Sequence, residues 1–206
     1  SQITDGAAWL VLASEEAVER HGLKPLGRIV DSQWAGLAPD QMGLGPVHAA
    51  MPILQRHGLA PNDLDAWELN EAFAAQVIAC LRAFEDDDYC RTHFGVDAPG
   101  APDKSRLNVD GGAIALGHPV GASGARIVLH LLHVLRRKGG GRGLASICIG
   151  GGQGGAMLVE TVRADLGVGL SVRLVPRYFV ERELQSGELV LATRTTKAVC
   201  AATACL

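Results

Sequence analysis

The spacing of apolar and polar positions divides the first 162 residues into alternating strand-like and helix-like stretches. Residues 5–13, DGAAWLVLA, read as a buried strand after a turn. SEEAVERHG follows as a short helix, with Ser14 as N-cap and Gly22 as the stop. PLGRIVDSQWAG alternates in part between Pro and Gly boundaries and reads as a strand. A Gly-rich loop then leads into a helix from about Pro46 to Arg56, which Pro52 should bend. LDAWEL is a short strand, and NEAFAAQVIACLRAF is a helix with Phe73, Val77, Ile78 and Leu81 on one face. Residues 85–106 are acidic, then contain Pro and Gly, and read as a surface excursion. From Gly124 to Lys138 the positions Ile127, Val128, Leu131, Leu132 and Leu135 keep a helical period, closed by Arg136, Arg137, Lys138 and Gly139. GLASICI and AMLVETV are strands separated by GGGQGG. Alternating strands and helices of this kind give an α/β or mixed α+β layered architecture. The pattern changes near residue 163.

Composition narrows the function classes. The chain has 206 residues, 48% apolar and 20% charged, which is a globular composition. A net charge of −3 gives no support for nucleic-acid binding. No apolar run reaches membrane-spanning length, and no secretory signal opens the sequence, which begins with Ser1 and so reads as starting inside a longer product or after processing. The five cysteines are widely spaced without a CxxC, so a reduced, cytoplasmic chain without a zinc ribbon is expected. Each cysteine is then a small buried hydrophobe unless something promotes it.

The promotion comes from glycine-dense segments. GGAIALGHPVGASG, residues 111–124, brackets His118 with glycines and follows it with Pro119. Three readings are open. Phosphate cradling is disfavoured: Gly112 and Gly117 have the P-loop gap, but His118-Pro119 replaces the required Lys-Ser/Thr. GxGxxG at Gly150, Gly152 and Gly155 is followed by a strand instead of the helix a dinucleotide site needs. A purely structural reading assigns the glycines to tight turns, His118 to a satisfied buried histidine and Cys148 to the core. The third reading is acyl-transfer chemistry. A glycine-flanked imidazole, a strand-end thiol and backbone N–H groups aimed at an oxyanion would together serve it, with no metal spacing.

Three segments resemble motifs of the thiolases (acyl-CoA C-acetyltransferases): NEAFAAQ at 70–76, NVDGGAIALGHPVGASGAR at 108–126 and CIGGGQGG at 148–155. SQITDGAA and MGLGP are also similar to thiolase segments, so the likeness covers residues 1–162. The resemblance implies the C-terminal half of the fold, a βαβαβαββ unit with a mixed five-stranded sheet and helices on both faces. It implies roles as well. His118 lowers the pKa of the nucleophilic thiol and donates to a thioester oxyanion; Asn70 holds a water in that oxyanion hole. Cys148 is the acid/base, and the Gly150 N–H contributes to a second oxyanion hole. Met42, Ala72, Phe73 and Ser1 line the pantetheine channel. Coenzyme A thioesters are substrates, and no cofactor is implied. The nucleophilic cysteine of a thiolase belongs to the N-terminal half, and no CxSG-like segment occurs here. The implied partners are acyl-CoA, CoA, that missing half and further copies in a homo-oligomer, with no nucleic acid and no membrane. An alternative is a non-catalytic thiolase-like fragment acting as a pairing module.

The remaining candidates read more plainly. Asn70 alone would be a helix N-cap and Glu71 a first-turn charge suited to the helix dipole. Cys80 and Cys90 are structural, and Asp86, Asp87 and Asp88 a solvated run. His21, His48, His57, His93, His130 and His133 show no partner pattern and read as surface or packing residues. No clear basic patch marks a site for the CoA adenine phosphate. Residues 163–206 form an extra tail, derived from a fusion or frameshift and expected to be poorly ordered or to pack on the sheet edge. Within it GVGLSVRLVPRYFVERELQSGELV resembles a piece of the effector domain of LysR-type regulators, without their DNA-binding helices.

Overall fold

The computed structural model describes residues 1, 3–161 and 188–193. The elements, in order, are β1 (Leu12–Ser14), α1 (Glu15–His21), β2 (Lys24–Gly36), a 3-10 turn (Pro39–Leu44), α2 (Gly45–His57), β3 (Ala66–Leu69), α3 (Ala74–Glu85), α4 (Asp87–Phe94), α5 (Ala113–Leu116), α6 (Val120–Arg137), β4 (Arg142–Ile149), β5 (Gln153–Thr161) and β6 (Glu188–Thr193). The sheet order is β1-β6-β2-β5-β4-β3. β5 runs antiparallel to β2 and β4, whereas β3–β4, β2–β6 and β1–β6 are parallel. The sheet is therefore mixed, as expected. Residues 1–161 supply five of its strands, and β6 inserts between β1 and β2. The expectation of poor order for residues 163–206 otherwise lies outside the described residues.

Helices cover both faces. Val47, Met51, Ile53 and Leu54 of α2 pack with Trp67, Leu69, Phe84, Leu144 and Leu158 on one. Ile127, Val128, Leu131, Leu132 and Leu135 of α6 pack with Leu26, Ala66, Ala145 and Val159 on the other. Each fully buried aliphatic side chain contributes about 1.5–3 kcal/mol, so these two clusters hold the layers together.

Local chemistry explains the boundaries. Ser14 accepts from the Ala17 N–H at 3.2 Å, and Gly22 closes α1 in the left-handed region, as read from the sequence. Helix α2 runs unbroken through Pro52. Gly154 in β5 packs on the backbone of Gly45 so closely that a Cβ would overlap it. This close approach lets α2 start against the sheet, and it is why the glycine run joins β5 instead of remaining a loop.

Four expectations change. Residues 5–11 are not a strand; β1 begins at Leu12. Gly6 lies against the Pro119 ring, and the Thr4 hydroxyl accepts from the His118 N–H, so this segment bonds to the histidine loop and not to a sheet. Helix α3 begins at Ala74, and Asn70 does not cap it, because the Asn70 N–H continues the β3–β4 pairing by donating to Ser146 O at 2.9 Å. The core face of α3 is Gln76, Cys80, Ala83 and Phe84, while Phe73 and Ile78 are about half exposed. The acidic run starts a helix, α4, with Asp86 accepting from the Tyr89 N–H at 2.9 Å and Asp87 and Asp88 in the first turn.

Candidate active site

Strand β3 sets the first residue. Alternation along it sends Trp67 and Leu69 into the α2/α3 cluster and Ala66 toward α6. Glu68 and Asn70 follow Ala66 by that period, onto the α6 side. Both are buried, at 4% and 2% exposure.

The second residue comes from the turn before α6. Gly117 adopts φ 93°, in the region that favours glycine, and the Thr4 side chain lies where its Cβ would be. The chain thus enters His118 from a direction that other residues resist. The Arg126 guanidinium holds Gly117 O at 2.8 Å. His118 is buried, and its Nε2 lies 3.5 Å from Asn70 Nδ2. On the other side Nδ1 meets Ser123 Oγ at 2.7 Å, and Ser123 Oγ donates to Pro119 O at 3.1 Å. Because the serine proton goes to Pro119, Ser123 Oγ is left to accept from Nδ1–H. That fixes the tautomer: Nδ1 carries the proton, and Nε2 offers its lone pair toward Asn70. Burial, then the Arg126 charge, push the His118 pKa down, so the ring is neutral near neutral pH.

Cys148 is the penultimate residue of β4. Pairing of Leu69 with Ser146 puts Asn70 level with Ile147, so Cys148 stands one position further along the same end of the sheet. The thiol is 7% exposed and shares its strand face with Leu144, toward α2 and α3. Burial pushes its pKa up. Asn70 and His118 are thus in contact on the α6 side, whereas Cys148, at the same end of the sheet, faces α2 and α3. Gly150 follows, exposed, beyond the end of β4. Asn70 Oδ1 is buried with no hydrogen-bond partner, an unmet acceptor beside the imidazole.

The proposed channel residues fall on two elements. Ala72 is buried and Phe73 exposed, just before α3; the Ser1 hydroxyl donates to Ala72 O at 2.8 Å. Met42 is half-buried in the 3-10 turn, whose Gly43 O accepts from the Cys80 thiol at 3.2 Å. Cys80 and Cys90 are fully buried, and burial raises the Cys80 pKa to about 12, which suits structural thiols.

Sequence reading missed the supports. Asn108, in the left-handed region at φ 45°, accepts from Leu69 N–H and donates to Leu69 O and to Glu71 Oε1, each at 2.9 Å. Glu71 does not serve α3; its other oxygen accepts from the Ile114 N–H at 3.1 Å. Among the histidines read as surface or packing residues, His48 bonds to the Tyr89 hydroxyl, His57 to Asp31, and His130 to Glu68 and Asp110. A carboxylate dozens of residues away leaves no local signal. Only the x-Asn-Glu run beside a strand end, and a second Asn just ahead of the glycines, hinted at the clamp.

A cavity of about 750 Å³ lies along α6, lined by Asn70, Glu71, Gly112, Leu116, Arg126 and His130 among others. It reaches the site through Asn70, and neither His118 nor Cys148 lines it. No group of metal-ligating side chains occurs among the described residues. No helix among them is long and apolar enough to cross a membrane.

The family model described as "Thiolase, C-terminal domain" matches residues 23–161. The chain belongs to the thiolase family. Over 162 residues it is 52% identical to a beta-ketoadipyl-CoA thiolase of Pseudomonas aeruginosa, covering 79% of this chain and 37% of that protein. Over 161 residues it is 45% identical to the human mitochondrial 3-ketoacyl-CoA thiolase, covering 78% and 36%. The crystal structure of that human thiolase in complex with CoA superimposes with a TM-score of 0.62 at 45% identity, over 73% of this chain and 34% of the other. This thiolase chain therefore spans little more than a third of the length of such relatives, and it corresponds to their C-terminal portion.

Proposed function

We propose that the chain is the C-terminal half of an acyl-CoA C-acetyltransferase that condenses acyl-CoA or cleaves 3-ketoacyl-CoA with CoA. The observation that carries this reading is the Asn70–His118 contact at 3.5 Å beside an unsatisfied Asn70 Oδ1. With Nδ1–H committed to Ser123, His118 Nε2 can take the proton of a nucleophilic thiol supplied by the other half. The resulting imidazolium then donates from Nε2 to the thioester oxygen as negative charge develops there. A water accepted into the site by Asn70 Oδ1 would supply a second donor. Cys148 moves the carbon-bound proton: as thiolate it removes one from the acetyl methyl, and as thiol it protonates the departing carbanion. Burial keeps it in the thiol form, which serves cleavage directly. The Gly150 N–H would serve the second oxyanion hole, and Met42, Ala72, Phe73 and Ser1 would line the pantetheine path. The names of the relatives support a 3-ketoacyl-CoA substrate class. A cytoplasmic location and a homo-oligomeric complete enzyme belong to the same proposal.

These 206 residues alone are expected not to turn over, because they contain no thiolase-type nucleophile. The pairing-module alternative draws on the exposed apolar side chains Phe73, Ile78, Ile114, Leu116 and Val120. A thiolysis assay separates the readings. The chain alone should match buffer, and joined to an N-terminal thiolase half carrying the nucleophilic cysteine it should cleave 3-ketoacyl-CoA. Turnover by the chain alone would show that the division of labour is misread. A folded but inert joined protein would leave only the pairing role.

A further inference from the structure

Next to Asn70 the fold holds a charged group that the proposed chemistry leaves unused. Glu68, two residues earlier on β3, has a side chain only 5% exposed. Its Oε1 lies 2.8 Å from His130 Nδ1, on α6. The other ring nitrogen, Nε2, lies 2.8 Å from Asp110 Oδ2, which also binds Arg137. A neutral imidazole has one N–H and one lone pair. Placed between two carboxylates, it can satisfy one and must turn its lone pair on the other. Only the imidazolium donates to both.

The two carboxylates are not equally free to leave. Glu68 is enclosed by α6 and the sheet and has no solvent to turn to. Asp110 is 41% exposed, on the loop between β3's Asn108 clamp and Gly112. That loop leads directly into α5 and the turn bearing His118. The arrangement thus ties three pieces of backbone together: the strand that ends in Asn70, the helix that follows His118, and the loop that precedes it.

We infer that His130 is a positioning residue: as the imidazolium it fastens the Asp110 loop to the strand carrying Asn70 and so sets the Asn70–His118 contact, and as the neutral ring it releases that loop. The inference deepens the thiolase reading and rests on it for any effect on turnover. His130 bonds to Glu68 from β3 and Asp110 from the loop, and the other titratable or charged groups around its cavity are Glu71 from the segment after β3 and Arg126, His133, Arg136 and Arg137 from α6 itself. The titration directions agree with the geometry. The Glu68 bond raises the His130 pKa, and burial raises that of Glu68 despite the imidazole beside it. Both shifts mean that the pair keeps its protons to higher pH than either group would alone. While Glu68 and Asp110 are ionised, the clip is complete below 6.5, the ordinary value for His130, and it is lost as pH rises through the raised value.

Imidazole NMR on this chain tests the coupling without turnover. Two-bond nitrogen–proton spectra should show the His118 ring signals moving in step with the deprotonation of His130, not only with that of His118. Asp110→Asn, at an exposed position, should place the His118 signals at neutral pH where the parent reaches them only in alkali. Asp110→Glu should restore the parent behaviour. In the joined enzyme Asp110→Asn should lower kcat by as much as on the order of 10²-fold with KM nearly unchanged, as expected for misplacement rather than lost binding. His118 signals indifferent to His130, or unchanged in Asp110→Asn, would overturn the inference even if the joined enzyme is active. Coupled signals in a joined enzyme that does not turn over would instead keep the inference and remove the thiolase reading.

Discussion

The two faces of the sheet are built from one short strand and differ in kind. Toward α2 and α3, β3 presents Trp67 and Leu69 to Met51, Phe84 and Leu144. The single polar atom of that indole donates to Pro61 O at 2.9 Å. Toward α6, the alternate positions Glu68 and Asn70 meet His130 and His118. One face is mainly apolar packing, with Gln76 Oε1 unpaired. The other buries a carboxylate, an imidazole and an amide, half-buries a second imidazole, and leaves Asn70 Oδ1 unmet. Buried polar groups cost stability unless they are paired, so the second face sacrifices some stability for a prepared site. Its aliphatic helix, with Leu131, Leu132 and Leu135 fully buried, offsets that cost.

If this division holds, substitutions on the two faces should act on different quantities. The largest effect is on catalysis: His118→Ala in the joined enzyme should lower kcat on the order of 10²- to 10⁴-fold, with little change in the urea midpoint of the chain. A large loss of stability with modest loss of rate would mean that the imidazole is mainly packing. On the opposite face, Trp67→Ala should destabilise the chain by about 3–5 kcal/mol in urea unfolding. A cost under about 1 kcal/mol would show that this face does not carry the fold. Ser123→Ala leaves the Nδ1–H of His118 without its buried acceptor and should cost about 1–3 kcal/mol; NMR should show the ring exchanging between tautomers.

Smaller still is the pH dependence, where His118 and His130 have opposite signs. The lowered His118 pKa means that the unfolded chain binds the extra proton more readily, so stability falls as pH drops below 6.5. The raised His130 pKa makes the folded chain the better proton binder, so its contribution fades as pH climbs above 6.5. His118→Ala should flatten the acid side of the stability profile and His130→Gln the other. Last, the exposed Glu16–Arg20 pair on α1 belongs to neither face, and Arg20→Ala should change stability by only about 0.3–0.5 kcal/mol. A larger change there would mean that α1 is more than a surface helix.

Much of the fold could be read from periodicity because it rests on local chemistry. Ser14 and Gly22 bound α1, the apolar stripe from Ile127 to Leu135 defines α6, and the β-branched run before Gly150 forms β4. The failures share a cause. DGAAWLVLA has strand composition, but Thr4 just ahead of it bonds to His118 and its own Gly6 packs on Pro119, more than a hundred positions away. NEAF has helix composition, but Asn70 still belongs to the sheet. Phe73 and Ile78 have core composition, yet the core side of α3 is Gln76 and Cys80. In each case a distant partner outweighed a local preference.

The same boundary runs through the site. Linear order alone placed an imidazole among glycines, an amide after a strand and a thiol before a glycine run, because each depends on backbone conformations that only certain neighbouring residues permit. It was the packing of α6 on β3 that brought His118 to Asn70, and Ser123 that chose which ring nitrogen is left open. Glu68, Asp110 and His130 are far apart along the chain and ordinary in composition. They acquire meaning only when the fold brings them within hydrogen-bond reach and makes their charges depend on one another.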